Sequence, residues 1–156
     1  MTAGPPGLRR VQRTRPLTRA RVQAYLTSRS YHVQVDDDGD LTGTWDGDRF
    51  WFLLLGEDEE LLQVRGRWHR VLPSARRAAA LLAVNDWNRE RVWPKVYLRD
   101  EDEGVAVYTE VTTDLEPGVS DDQLAQLVAC GLGTGVQVFA ALSALVPPGA
   151  DDGLEP

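Results

Sequence analysis

The chain is poor in reactive side chains. It holds one cysteine, Cys130, one lysine, Lys95, and two histidines, His32 and His69. A lone thiol excludes an internal disulfide framework. It neither requires nor forbids a reducing compartment, and it fits the cytoplasm. Neither histidine has a metal-ligand spacing to the other or to Cys130, so no zinc signature exists. No apolar run approaches the roughly 20 residues of a membrane helix, and the N-terminus lacks the apolar stretch of a secretory signal. There is no Gly-Lys-Ser/Thr of the phosphate-loop kind. Neither a disulfide scaffold, a zinc fold nor a membrane span is expected.

What is present is apolar material and acid. Of 156 residues, 42% are hydrophobic, and the formal net charge is −7. That is enough for the core of one domain. The charge is unevenly placed: residues 1–30 carry seven arginines and no acid, whereas the remainder has ten Lys/Arg against 24 Asp/Glu. Residues 1–16, with Gly4, Pro5, Pro6 and Gly7, have little to bury and read as a disordered basic tail. Such an arm can hold nucleic acid by counterion release, fold back onto the acidic body, or act as a solubilising tail. Its four arginines are few for a dedicated nucleic-acid arm. Residues 147–156 read as a second tail, which leaves 17–146 as the domain.

Periodicity supplies the elements. Leu17, Val22, Tyr25 and Leu26 predict an amphipathic helix over Leu17–Ser28, with Thr18 as N-cap. Tyr31–Val35, Leu41–Trp45, Arg49–Leu55 and Leu61–Trp68 read as strands. Asp46-Gly47 between the second and third is a strong hairpin signal. A helix opens at Pro73-Ser74 and runs to about Glu90, where Pro94 forbids continuation. Lys95–Arg99 and Val105–Thr112 form a second hairpin around Asp100–Gly104. Ser120 and Gln123 make a capping box for a last helix through Leu142. The order is α-β-β-β-β-α-β-β-α, an α+β domain with helices on one side of an antiparallel sheet.

One strand breaks the usual alternation. In Phe50-Trp51-Phe52-Leu53-Leu54-Leu55 both faces are apolar, whereas a strand with a solvated face carries polar residues at every second position. Helices cover only one side, so a homodimer partner, a bound client chain or an internal fold-over is expected on the other. Alternatively, Trp45 and Trp68 of neighbouring strands cover it. Trp45, Trp51, Leu53, Leu55 and Trp68 are the candidate interaction residues.

Signatures of chemistry fail on inspection. If Gly39 were the turn glycine of a calcium loop around Asp36–Asp40, positions one and twelve would be Gln34 and Trp45, neither a carboxylate. Gly131-Leu132-Gly133-Thr134-Gly135 resembles a dinucleotide fingerprint, but Val136 stands where glycine is needed and a helix stands where a strand is needed. These glycines are expected to permit close packing or a kink. His69 and Cys130 form a catalytic pair only if the fold brings them together, and Cys130 lies in an apolar stretch where thiols are usually inert. No catalytic, metal-binding or cofactor-binding residue is therefore assigned, and no cofactor is expected.

The segment Val84-Asn85-Asp86-Trp87-Asn88-Arg89-Glu90-Arg91-Val92-Trp93-Pro94-Lys95 is more distinctive. Together with Val107-Tyr108-Thr109-Glu110 and Asp114-Leu115-Glu116-Pro117-Gly118, it resembles the YbjN family of bacterial proteins over roughly Leu17 to Leu145. The resemblance implies a fold like that of the type III secretion chaperones, often dimeric, and a link to sensory transduction. It supplies no catalytic residues. Asn85, Trp87, Asn88, Trp93 and Pro94 are expected to be structural, with the asparagines bonding backbone at the helix end and the tryptophans packing that corner. The expected function is a non-enzymatic, dimeric interaction module that binds a protein segment on an apolar sheet face. The alternatives are a regulator touching nucleic acid through residues 9–21 and an enzyme using His69 or Cys130.

Overall fold

Turn chemistry shapes the sheet. Asp46 and Gly47 both take positive φ, 53° and 85°, the geometry whose twist matches a two-residue hairpin, and they join β2 (Leu41–Trp45) to β3 (Asp48–Leu55). The computed structural model describes residues 12–146. The other elements are α1 (Arg19–Ser28), β1 (Gln34–Val35), β4 (Leu61–Leu72), α2 (Arg77–Glu90, after a 3-10 turn at Ser74–Arg76), β5 (Lys95–Glu101), β6 (Gly104–Asp114) and α3 (Asp121–Leu145). Their order is the expected one. The strands form one antiparallel sheet in the order β1-β2-β3-β4-β6-β5.

Register decides which side chains share a face. Phe50 lies opposite Gly66 and Gly66 opposite Thr109, whereas Phe52 lies opposite Val64 and Val64 opposite Val111. This face meets the helices. Phe50, Phe52, Val64, Trp68 and Val107 form one buried cluster with Val22 and Leu26 of α1, Val84 of α2, and Leu124, Val128 and Phe139 of α3.

The helices begin as the sequence predicts. Thr18 accepts from the Arg21 N–H at 3.2 Å. Ser120 accepts from the Gln123 N–H at 3.2 Å, while Gln123 accepts from the Ser120 N–H at 3.1 Å, which satisfies two donors that a helix start otherwise leaves open. The glycines of α3 divide by role. A Cβ on Gly131 would lie 2.6 Å from Val64, and one on Gly135 would lie 2.7 Å from Phe50, but Gly133 faces open space. Gly131 and Gly135 let the helix lie directly on the sheet.

Four expectations need correction. Of Tyr31–Val35 only Gln34 and Val35 pair as strand, since Tyr31 packs edge-on to Trp45 at 5.4 Å as part of the loop. β4 continues to Leu72 through an irregularity between Arg67 and Val71, where a bulge inserts residues and breaks the period of two. The tail boundary at Pro16 is too late. Arg15 and Val119 exchange backbone bonds of 3.2 and 2.9 Å, and Gln12 accepts from the Asp122 N–H at 2.9 Å, so residues 12–16 lie against the body. Finally, α3 is long and apolar enough by composition to cross a membrane, contrary to the run-length estimate; here it is the helix that covers the sheet. Residues 1–11 and 147–156 of the expected tails lie outside the described residues.

Candidate interaction surfaces

Among the described residues, no helix lies over the second face of the sheet. Its side chains stand in cross-strand rows: Arg49, Arg67, Tyr108 and Tyr97; then Trp51, Arg65, Glu110 and Lys95; then Leu53, Gln63 and Thr112; then Leu55, Leu61 and Asp114. The face therefore grades from cationic and aromatic at one end to aliphatic at the other.

Two carboxylates organise the polar end. Glu110 accepts from the Tyr97 hydroxyl at 2.5 Å and from Arg65 Nε at 3.2 Å, with Lys95 Nζ 3.0 Å away. Glu101 accepts from Arg67 Nη2 at 2.6 Å and from the Tyr108 hydroxyl at 2.7 Å. Tyr97 and Tyr108 stack with centroids 5.5 Å apart. Burial pushes Glu110 upward, but the Tyr97 hydroxyl, Lys95 and Arg65 outweigh it and leave the carboxyl below its usual range. Arg67 and Tyr108 hold Glu101 down in the same way. Both tyrosines are pushed up, first by burial and then by donating to a carboxylate. These carboxylates are neutralised acceptors in fixed pairs, a poor arrangement for general acid–base work.

Beside this network is a hollow of about 370 Å³. Asp36, Asp38 and Asp40 bound it on one side, Arg65 and Arg99 on another, and Trp51, Leu53 and Leu55 form its apolar wall. Burial, together with Asp36 and Asp38, raises the pKa of Asp40.

A second surface lies on the helical side. β5 begins at Lys95, opposite Glu110, so β6 runs on to Asp114 with, among the described residues, no strand on its outer edge. There the chain leaving α2 presents Val92, 81% exposed, and Trp93, 57% exposed. Between this corner and the first half of α3 runs a groove of about 430 Å³, lined by Trp93, Val111, Leu115, Leu127, Cys130 and uncharged neighbours. Burial pushes the Cys130 thiol up, away from the reactive thiolate.

The predicted interaction residues divide between the two faces. Trp51, Leu53 and Leu55 share the open face. Trp45 and Trp68 point into the core. Trp68 has no exposure and its indole N–H donates to Ser143 Oγ at 3.1 Å, whereas Trp45 packs its ring against Tyr31, Phe50 and Phe52. Trp45 pairs with Asp48, two residues from Phe50, and that register turns it inward.

Of the motif residues, Asn88 bonds Val96 twice, donating to its carbonyl at 2.8 Å and accepting from its N–H at 3.0 Å. Trp87 is half-buried beneath the Arg91 guanidinium, 4.1 Å from the ring centroid. Pro94 is buried after a cis peptide bond. Asn85 is exposed, with no side-chain hydrogen bond to backbone among the described residues, and Trp93, 57% exposed, does not pack the corner but stands out from it.

His69 and Cys130 are not brought together. His69 Nδ1 is 2.8 Å from Asp48 Oδ1 beside the first hairpin, while Cys130 lines the groove at Trp93. Among the described residues, no three His, Cys, Asp or Glu side chains are placed to hold a metal ion. The tyrosine–carboxylate network was missed in the sequence. Its trace there is the alternation Lys95-x-Tyr97-x-Arg99-x-Glu101 facing Tyr108-x-Glu110, polar and aromatic at a period of two.

Residues 18–144 match the model of the family YbjN, described as "Putative bacterial sensory transduction regulator". No curated protein matches the chain. Among solved structures, YbjN from E. coli superposes with a TM-score of 0.65 at 11% identity, over 80% of this chain and 90% of that one. An uncharacterised protein from Methanothermobacter thermautotrophicus gives 0.55 at 10% identity, over 83% and 99%. A chain of the HopA1–SchA chaperone–effector complex gives 0.50 at 18% identity, over 80% and 99%. At these identities the likeness shows the fold, an α+β domain of the type III secretion chaperone kind.

Proposed function

The chain belongs to the YbjN family, and on that premise we propose that it is a non-enzymatic, cytoplasmic, homodimeric interaction module that binds a segment of a partner protein on the open face of its sheet. The observation that carries this reading is the asymmetry of the sheet. All three helices pack on the Phe50 face, and among the described residues no helix lies over the face bearing Trp51, Leu53 and Leu55, where Leu53 is buried by its sheet neighbours and Trp51 and Leu55 are partly exposed. An extended segment with an aliphatic stretch next to charged residues matches the gradient along that face, with aliphatic burial supplying affinity and the Arg65–Glu110 end supplying register. The fold it shares with a chain of a chaperone–effector complex agrees with a peptide client.

Nucleic-acid contact through residues 9–21 has less support. Arg15 and Arg21 both pair with Asp121, and Arg19 donates to the Gly39 carbonyl at 2.6 Å. These three arginines serve the fold. An enzyme is disfavoured by the separation of His69 from Cys130.

The test is Trp51→Glu and Leu55→Glu in the full chain, with circular dichroism to show folding. Size-exclusion chromatography with light scattering reads the dimer, and affinity capture from host lysate reads partners. Loss of dimer or of reproducible partners in a folded variant supports the reading. A folded variant with unchanged mass and unchanged partners sinks it.

A further inference from the structure

We infer that the segment taken up on the open face is acidic at one end: an Asp or Glu side chain pairs with Arg49, and aliphatic side chains follow it toward Leu55. This rests on the open-face reading and adds to it the sign of the partner's charge.

The arginines of the face carry the argument. Arg49 lies directly opposite Arg67 across β3 and β4, and Arg65 stands on the same face beside them. Like charges opposite each other on a ladder destabilise the pair, so folding alone does not favour this arrangement. Arg65 and Arg67 are answered by Glu110 and Glu101. Arg49 is not. Its Nε donates to Thr42 Oγ1 at 3.1 Å, its guanidinium stands 5.6 Å from the Trp51 ring centroid, and it makes no salt bridge among the described residues. Arg99 is alike: exposed, 5.3 Å from the Tyr108 ring centroid, and influenced by Glu101 without a salt bridge among the described residues. A chain of net charge −7 thus places two cations without salt bridges on one face. A guanidinium held on an aromatic ring is already positioned, and its fork fits a carboxylate with two parallel bonds.

The acid has only one end of the face to occupy. Arg49, Trp51, Leu53 and Leu55 follow one another at alternate positions of β3, so cation, indole and aliphatic side chains stand in line. The Asp36–Asp40 turn enters β2 at Leu41, opposite Phe52, which sets it level with Leu53, whereas Arg49 lies opposite Thr44. From Arg49 to Leu53 the strand covers about 13 Å at roughly 3.3 Å per residue. An acid at Arg49 is that far from the turn, but an acid over Leu53 or Leu55 meets Asp36, Asp38 and Asp40, which bound the same hollow. Attraction at one end and repulsion at the other fix the polarity of the segment.

The test is calorimetric titration of the full chain with synthetic peptides, blocked at both termini and made in both sequence directions. Each has glutamate or lysine at one end, then leucine at alternate positions with serine between. The glutamate peptide is expected to bind about tenfold tighter than the lysine peptide, one making a charge-assisted pair and the other a like-charge contact. Arg49→Glu, shown by circular dichroism to be folded, is expected to reverse that order. Equal affinities in the parent chain, a preference for lysine, or a glutamate preference that persists in Arg49→Glu overturns the inference. Leu55→Glu separates it from the open-face reading. Peptides that bind whatever their charge and are lost in Leu55→Glu leave open-face uptake standing and remove only the acid. Binding untouched by Leu55→Glu, or no binding at all, removes both. A single-stranded oligothymidylate that displaces the glutamate peptide in the parent chain but not in Arg49→Glu overturns the inference in favour of nucleic acid.

Discussion

Asn88 and Val96 are joined by two hydrogen bonds, one in each direction, so that a single side-chain amide stands in for a neighbouring strand on the outer side of β5, whose inner side pairs Val96 with Thr109. The carboxamide is the one side chain of its size that carries a donor and an acceptor on the same carbon. Asn88→Asp keeps the acceptor and loses the donor, and Asn88→Ala loses both. Each is expected to destabilise the fold by about 1–3 kcal/mol, the range for stranding a backbone group, read as a lower urea midpoint. A midpoint within error of the parent's would show that the clamp carries no stability.

The glycines of α3 give opposite predictions. Gly133→Ala meets nothing and is expected to stabilise by about 0.5–1 kcal/mol through helix propensity. Gly131→Ala drives a methyl into Val64 and is expected to cost about 1–3 kcal/mol through overpacking. Thermal unfolding of the two variants side by side decides it, and equal shifts would contradict the packing.

The two tryptophans once grouped as one surface are expected to part. Trp68→Glu buries a charge and removes the bond to Ser143, so it should abolish the cooperative transition. Trp51→Glu is expected to leave the transition in place within about 1 kcal/mol, because Trp51 is only partly buried and stands outside the helix-covered core. Near-ultraviolet circular dichroism and chemical denaturation read both.

Acid and base should act on the open face with opposite signs. Glu101 and Glu110 have folded pKa values below their unfolded ones, so their contribution is complete above the ordinary glutamate range and is lost as pH falls through the depressed values. Tyr97 and Tyr108 are raised, so their contribution is complete below the ordinary tyrosine value of about 10 and is lost as pH rises through the raised values. Stability against urea is expected to fall on both flanks. Glu101→Gln with Glu110→Gln should flatten the acid flank, and an unaltered acid slope would refute the assignment.

Much of the fold was legible because its signals are local. Asp46-Gly47 announces its hairpin, Ser120 and Gln123 announce their helix, and the double apolarity of residues 50–55 announces a central strand. Facing is less legible. Whether Trp68 lies with Trp51 or with Phe50 depends on which β4 residue Phe50 pairs with, here Gly66, and register is a property of two strands. The irregularity after Arg67 likewise has no sequence sign. Gln12–Pro16 read as tail because their partners, Val119 to Asp122, are over 100 residues away. Trp93 read as structural because a tryptophan beside a proline has the composition of a packed corner; only the shortness of β5 leaves it outside.

α3 follows every strand in the chain, yet it is the lid of their apolar face, and its own start is tied to Gln12 and Arg15. During synthesis every described strand is therefore made before the helix that shields Phe50, Phe52, Val64 and Trp68 from solvent. A chain that ends at Pro117 carries an uncapped apolar sheet and should depend on general chaperones or aggregate, whereas the addition of α3 converts it to a closed domain. For this protein, one helix of 25 residues separates an aggregation-prone sheet from a closed domain.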